Sequence, residues 1–351
     1  MLSRNFNLSD LTVVMQGAVG TDSASRSELI GNIAATRRAL PGATLILSTW
    51  VGSGAQIDWP VDHVVESDDP GELPNFKYNS PGVMNNVNRQ IVSSRAGLES
   101  VKTRYAIKMR TDCRFDGTGF LDAFLARDNG ETANNRIVVP HLFSVDPRVF
   151  EQMPFHLSDW FQFGETGKLR DLWCAPPMAY EDATYYDTHA HASWSSRFDR
   201  RYRARFAPEQ HVWTHYAGRA GYVCPGFHND VSYTVLNSHD RFLSREVQVV
   251  DVAHSGFVLP RYGWALRSGF QRFNCLNAHD WSFLEAHLSG RTTDAGTQMT
   301  GFRRLRAKRF LSALASCTEP LAPMLTLPLM KPLVSRFLKG VDAWSARTAQ
   351  Y

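Results

Sequence analysis

The hydrophobic pattern of this chain changes period several times within its first hundred residues. The run LTVVMQG, residues 11–17, is apolar on both faces a strand would present and stops at Gln16 and Gly17. Strands apolar on both faces belong to parallel sheets covered by helices. Further on the period lengthens: Leu29, Ile30, Ile33, Ala34 and Leu40 recur on one helical face. Ser25 and Glu28 stand at capping-box spacing, which predicts that this helix starts at Ser25. ATLILSTW (43–50) predicts a second strand, and DHVVESDDPG (62–71) a short third strand running into acidic and turn residues. After a loop rich in Asn, Pro and Gly, Val87, Ile91, Leu98 and Val101 carry a helical period, and YAIKMR (105–110) returns to strand. This β-α-β-β-α-β order predicts an α/β fold of Rossmann type with an open, mostly parallel twisted sheet.

Beyond residue 125 the pattern is less regular. RIVVPHLFSV (136–145) and REVQVVDVA (245–253) read as further strands, and residues 155–216 are rich in aromatic side chains. GFRRLRAKRF (301–310) sets five basic residues among Phe302, Leu305 and Phe310, and KPLVSRFLKGVDAW is amphipathic at helical spacing. This divides the chain into a main domain at 1–300, with halves at about 11–125 and 126–255, and a basic, helical, amphipathic segment at 301–351.

Composition narrows the reading. With 43% hydrophobic and 21% charged residues the chain has ample material for a core, and a net charge of +4 does not mark a nucleic-acid binder. Five cysteines, odd in number and without CxxC spacing, speak against a disulfide framework or a structural zinc site. No leader pattern and no uninterrupted apolar span stands out, so a cytoplasmic protein is expected. The basic tail, with its interleaved Phe, Leu and Trp, suits an anionic membrane surface at the inner leaflet through residues 301–344. Packing of the final helix onto the domain fits the same pattern.

The candidate chemistry centres on YAIKMRTDCRF, where Asp112 follows a buried strand between Arg110 and Arg114. Strand ends of open α/β sheets are where ligands bind. A nucleotide-sugar site needs the developing charge of its diphosphate neutralised, commonly by Mg²⁺ or Mn²⁺ on an Asp-x-Asp pair. Here Arg114 stands in the second position, so one carboxylate with phosphate and water would hold the ion, or the arginines would meet phosphate directly. Alternatively Asp112 caps a turn or pairs with an arginine. His189 and His191 have no companion ligands at recognisable spacing and read as loop residues.

The series VVMQG, LPGATLILSTW, DDPG, NVNRQIVSSRAGL and YAIKMRTD resembles the WavE lipopolysaccharide-synthesis family over residues 11–125, continuing through HLSDWFQFG (156–164) and FAPEQHVW (206–213). That family is similar to glycosyltransferases of the GT-A fold. The resemblance implies a nucleotide-diphosphate sugar donor, a UDP-sugar foremost, and a lipid-linked saccharide acceptor. It implies donor contacts from Gln16, Gly17, Thr49, Trp50, Asp68, Asp69, Arg89, Arg95, Arg110 and Asp112. It places Asp112, with His228 as a late ligand, at a divalent cation (Mn or Mg), a role that Arg114 leaves open. Asp159 and Trp160 would face the donor sugar and acceptor, and Glu209 would be the general base, with Asp159 second. Without the resemblance, Pro208-Glu209 reads as an ordinary helix first turn, and Arg95 as a partner for Glu99. A sugar nucleotidyltransferase would want a lysine in GAVGTDSASR, which has none, and a catalytically degenerate glycan-binding member is the other rival.

Overall fold

The computed structural model describes residues 6–53, 58–78, 84–127, 135–267, 273–289 and 305–313. In chain order come β1 (Leu11–Gln16), α1 (Ser23–Ala39), β2 (Thr44–Trp50), β3 (His63–Ser67), α2 (Val87–Glu99), β4 (Tyr105–Arg110), β5 (Arg114–Phe115) and α3 (Gly119–Leu125). The second half holds β6 (Ile137–Pro140), β7 (Phe161–Glu165), α4 (Thr166–Trp173), α5 (Tyr180–Ala183), α6 (Pro208–Arg219), α7 (Tyr233–Glu246), β8 (Val247–Val250), α8 (Val252–Ser255) and β9 (Phe257–Val258).

Seven strands form one sheet in the order β3-β2-β1-β4-β7-β6-β8, and β5 pairs with β9 in a separate ribbon. The β3-β2-β1-β4 run is parallel throughout, and β7 alone opposes its neighbours β4 and β6. The expected α/β architecture is therefore present, with an antiparallel strand set into a mostly parallel sheet.

Alternation along the strands sends side chains into two cores. Leu11, Val13 and Met15 of β1 join Ile107 and Met109 of β4 and Ile33 of α1 on one face. Val14, Ile46 and Ala106 meet Ile91 and Leu98 of α2, Leu169 of α4 and Trp213 of α6 on the other. Gly97 brings α2 close to the sheet: a Cβ there would lie 2.5 Å from a Val14 methyl and 2.9 Å from the Ser48 Cβ. This tight seat holds α2, whose N-terminal half carries Arg89 and Gln90, against β1 and β2.

Three boundaries differ from the sequence expectation. The N-cap of α1 is Asp22, not Ser25: its carboxylate accepts from the Ser25 amide at 2.9 Å and from the Ser25 hydroxyl at 2.7 Å. An aspartate at N-cap satisfies the free amides of the first turn, which leaves Glu28 available for another partner. The strand expected at 136–145 ends at Pro140, after which Phe143 takes a left-handed conformation (φ 64°) and the chain turns. The strand expected from residue 245 begins at Val247, because α7 continues through Glu246.

The expected boundary at residue 300 lies outside the described residues. Residues 305–313 are helical, with Leu305, Lys308 and Ser312 buried against the α/β body. Lys308 Nζ donates to the Cys275 carbonyl at 2.8 Å and pairs with Asp280 at 3.2 Å, and Arg309 lies 3.9 Å from Asp146. This part of the basic run thus faces inward, whereas Phe310 is 67% exposed. Arg303, Arg304 and the amphipathic pattern beyond 313 lie outside the described residues. Among the described residues no helix is long and apolar enough to cross a membrane.

Candidate active site

The parallel strands β1, β2 and β4 end at one level, with Gln16 in register with Ser48 and Arg110. Three bonds knit these ends together: Gly17 N–H to the Ser48 carbonyl (3.0 Å), Thr111 N–H to the Gln16 carbonyl (3.0 Å) and the Thr111 hydroxyl to the Ala18 carbonyl (2.9 Å). Above them opens a cavity of about 500 Å³, walled by the β1–α1 turn, the start of α2 and residues 110–112. The turn depends on glycine at two places. Gly17 has φ +135°, and Gly20 has φ +74° with its missing Cβ only 2.4 Å from the Ser25 Cβ. Gln16 lines the cavity while its Oε1 has no hydrogen-bond partner among the described residues.

Each carboxylate on the rim grips one arginine. Asp112 accepts from Arg110 Nε at 3.0 Å and Nη2 at 2.8 Å, and also from the Tyr262 hydroxyl at 2.9 Å. Asp69 takes Arg89 through Nε (2.7 Å) and Nη2 (2.8 Å), and Glu28 takes Arg261 Nε at 2.8 Å. Burial opposes the charge on Arg110 and Asp112 alike, yet their mutual bonds outweigh it: Arg110 lies above, and Asp112 below, its ordinary range. The Arg110 guanidinium also lies over the Trp160 ring, 4.6 Å from its centre.

Behind this wall lies a second acidic group. Gln90, a cavity residue, donates to Asp159 Oδ2 at 2.9 Å, while Asp159 Oδ1 is buried without a partner among the described residues. Lys108, fully buried on β4, donates to the Asp159 carbonyl at 2.8 Å and lies 4.3 Å from the centre of the Trp173 ring. Burial pushes Lys108 down to about 8 despite the Asp159 charge. It pushes Asp159 above the carboxylate range, against the pull of Lys108 and with the help of Glu209. Glu209 Oε2 lies 3.4 Å from His156 Nε2, and its side chain keeps 21% exposure, so water reaches it from one side. Burial would raise Glu209, but the His156 bond and charge leave it lowered; burial would lower His156, but Glu209 leaves it raised.

The residues singled out in the sequence divide accordingly. Gln16, Gly17, Trp50, Asp69, Arg89, Arg110 and Asp112 all line the cavity. Thr49 is buried, and neither Thr49 nor Asp68 is among the lining residues. Arg95 points elsewhere: it donates to the carbonyls of Trp173 (3.3 Å) and Ala175 (2.6 Å), tying α2 to the end of α4 rather than pairing with Glu99. Trp160 offers no open ring face for a sugar, being 5% exposed between Phe143 (stacked, 5.8 Å) and Arg110. Glu209 does sit in the first turn of α6, as the ordinary reading had it, and it also joins the buried acidic group. His189 and His191 bond the backbone carbonyls of Tyr185 and Tyr202.

The set expected for a divalent cation does not fit one as arranged. Both Asp112 oxygens are taken by Arg110, Arg114 turns to Asp116 at 3.0 Å, and His228 is buried, bonded to the Tyr186 hydroxyl and stacked on Tyr202. Among the described residues no three His, Cys, Asp or Glu side chains converge.

As site residues, Gln90, Lys108, His156, Arg261 and Tyr262 went unread in the sequence, and Glu28 was read only as a helix cap. Lys108 alone carried a signal: strand alternation puts it on the face of Ala106 and Arg110, so its burial follows from the period. Tyr262 lies 150 residues from Asp112, and no local pattern announces such a contact.

The family described as WavE lipopolysaccharide synthesis matches residues 11–313, most of the chain. Among solved structures, an active-site mutant of LgtC matches at 11% identity and a TM-score of 0.27, covering 45% of this chain and 59% of that one. The chain thus spans about three-fifths of that structure's length, and so slight a likeness carries no argument. No curated protein matches.

Proposed function

The chain belongs to the WavE lipopolysaccharide synthesis family, and on that ground together with its cavity we propose that it is a glycosyltransferase acting in lipopolysaccharide synthesis. The donor is a sugar on a nucleoside diphosphate, a UDP-sugar first, and the acceptor a lipid-linked saccharide. The observation that carries this reading is the cavity at the ends of β1, β2 and β4, where open α/β sheets bind nucleotides. Its glycine turn admits a close ligand, and the unpartnered Gln16 Oε1 can accept a hydrogen bond from the nucleoside.

In this proposal Glu209, kept ionised by His156, takes the proton from the acceptor hydroxyl as its oxygen bonds to the anomeric carbon. The bond from that carbon to the diphosphate oxygen breaks, and the negative charge leaves on the diphosphate beside Arg110. Asp159, held by Gln90, shapes the acceptor side. A general base contributes roughly 10²–10⁴-fold to such a step. Residues 11–125 then serve the donor and 126–255 the acceptor, while the segment from 301 meets the inner leaflet through the part of its basic run that faces outward.

The test is release of nucleoside diphosphate from UDP- and GDP-sugars by the purified protein with truncated lipopolysaccharide acceptors. Acceptor-dependent release that Glu209→Gln abolishes supports the reading. Release from no donor under any acceptor would remove it.

A further inference from the structure

We propose that Arg110 and Arg261 hold the donor's diphosphate directly, in the place usually taken by a cation, with Asp112 and Glu28 acting as the positioning groups of these two arginines. The inference rests on the reading of the cavity as a nucleotide-sugar site. It starts from how the two guanidiniums are bonded.

Arg110 spends Nε and Nη2 on Asp112, and Nη2 also donates to the Tyr262 hydroxyl; Arg261 spends Nε and Nη2 on Glu28. In both residues one edge of the fork faces a carboxylate, and Nη1 bonds nothing among the described residues. Both line the same cavity. Arg89 differs: its Nη1 already donates to Glu72 and Asn86, so it belongs to the frame of the site.

A guanidinium presents five N–H donors in a planar fork suited to phosphate oxygens, and a carboxylate on one edge fixes the direction of the other. Arg110 is further held by Trp160 at 4.6 Å and Tyr262 at 5.4 Å from the ring centres. Its loss of freedom is therefore already met before a ligand arrives, and preorganised donors bind more tightly for that reason. Arg261 comes from the segment after β9 and reaches Glu28 on α1, so the two cations approach the cavity from different elements. Ala18, Val19 and Gly20 line the same cavity, and their amides bond no acceptor among the described residues.

This arrangement also accounts for the odd motif that ends β4. Arg114, where a second metal-binding carboxylate would stand, pairs with Asp116, and Asp112 is saturated by Arg110 and Tyr262. Asp112 then orients a cationic side chain instead of ligating a cation.

Calorimetric binding of UDP, GDP and inorganic pyrophosphate, each in EDTA and in Mn²⁺, tests the inference on the full chain. The expected result is binding of at least one nucleotide with the same affinity in both media, within about twofold. Arg261→Ala and Arg110→Ala should each weaken it roughly ten- to hundredfold, the range of a lost charge-assisted bond. Asp112→Asn should weaken it by no more than several-fold. Arg261 is half exposed, so its variant keeps the test open if Arg110→Ala fails to fold. Binding that needs Mn²⁺ and vanishes in Asp112→Asn would overturn the clamp and leave the donor site standing. Metal-free binding unchanged in Arg261→Ala and Arg110→Ala would do the same. Binding of no nucleotide in either medium would overturn the donor site and the clamp together.

Discussion

Glu209 Oε2 stands 3.4 Å from His156 Nε2, while Nδ1 of the same ring stands 3.0 Å from the carbonyl oxygen of Phe143. The Phe143 carbonyl accepts from Nδ1–H, which turns Nε2 toward the carboxylate. Phe143 (φ 64°) and Phe155, the residue before His156 (φ 60°), both hold left-handed backbone that an aromatic residue rarely adopts. Strain of this kind, roughly 1–3 kcal/mol at each position, persists where surrounding structure fixes a functional group.

From this pair follows a prediction about activity against pH. Glu209→Gln should lower turnover by roughly 10²–10⁴-fold, as loss of a general base does. His156→Gln removes the group that holds Glu209 low, so the acid limb of the turnover profile should move to higher pH. A merely structural His156 would lower stability and leave that limb in place. The sign for stability is separate. The raised His156 stabilises fully below its ordinary 6.5 and less as pH climbs through its folded value. The lowered Glu209 stabilises fully above its ordinary 4.5 and less as pH falls through its folded value. The pair's contribution is therefore complete between 4.5 and 6.5, and thermal denaturation across pH should show it shrinking on both sides in wild type but not in His156→Gln.

The N-terminal half of the fold was legible because its signals are local. β1, β2 and β4 are unbroken apolar runs, and α1 and α2 repeat at helical spacing, so their order and parallel sense follow from the pattern. The cavity lining was legible for the same reason, since Gln16, Trp50, Arg110 and Asp112 stand at or just past strand ends. What escaped depends on pairing over long distances. The antiparallel seat of β7 against β4, Arg261 on Glu28 and Tyr262 on Asp112 join parts of the chain that share no period. Adjacency to Asp159 says nothing about how far the Trp160 ring is covered; the residue is 5% exposed, with Phe143 stacked on its ring and the Arg110 guanidinium over it.

Lys108 yields a second prediction. Its buried ammonium, depressed from 10.5 to about 8, makes the folded chain release a proton that the unfolded chain keeps. Below about pH 8 the charge is carried at a cost, and between 8 and 10.5 the cost fades as the folded form deprotonates first. That relief amounts to about 3 kcal/mol for such a shift. The stability of wild type relative to Lys108→Met should therefore rise with pH over this interval in denaturant unfolding. A difference that stays flat would show that Lys108 is not desolvated.

Gly20 and Gly42 supply a matched comparison of backbone and space. Both have positive φ, +74° and +88°, but a Cβ at Gly20 would strike Ser25 at 2.4 Å whereas nothing lies within 4 Å of one at Gly42. Alanine at Gly42 should cost about 1–2 kcal/mol, the price of left-handed backbone alone. At Gly20 the same change must also displace the first turn of α1, so it should cost more and weaken nucleotide binding as well. Paired unfolding and binding measurements would show the two effects coupled at Gly20 and separate at Gly42.

The basic run near the C-terminus divides into two kinds of residue, and mutations should separate them. Lys308 is buried against Asp280, with side-chain exposures of 3% and 0%, so Lys308→Met leaves Asp280 without this cation. Removing one partner of a buried pair typically costs about 3–5 kcal/mol. Lys308→Met should thus lower the melting temperature at any lipid composition. Arg306 is exposed, and Arg303 and Arg304 precede the described helix. Changing these three to Glu should release the protein from vesicles containing anionic lipid, since each basic residue near such a surface contributes about 1 kcal/mol. Co-sedimentation with anionic and neutral vesicles, read beside thermal denaturation, distinguishes the two groups. If the Arg303, Arg304 and Arg306 variant still binds anionic vesicles as wild type does, the run has no membrane role, and its arginines serve packing as Lys308 does.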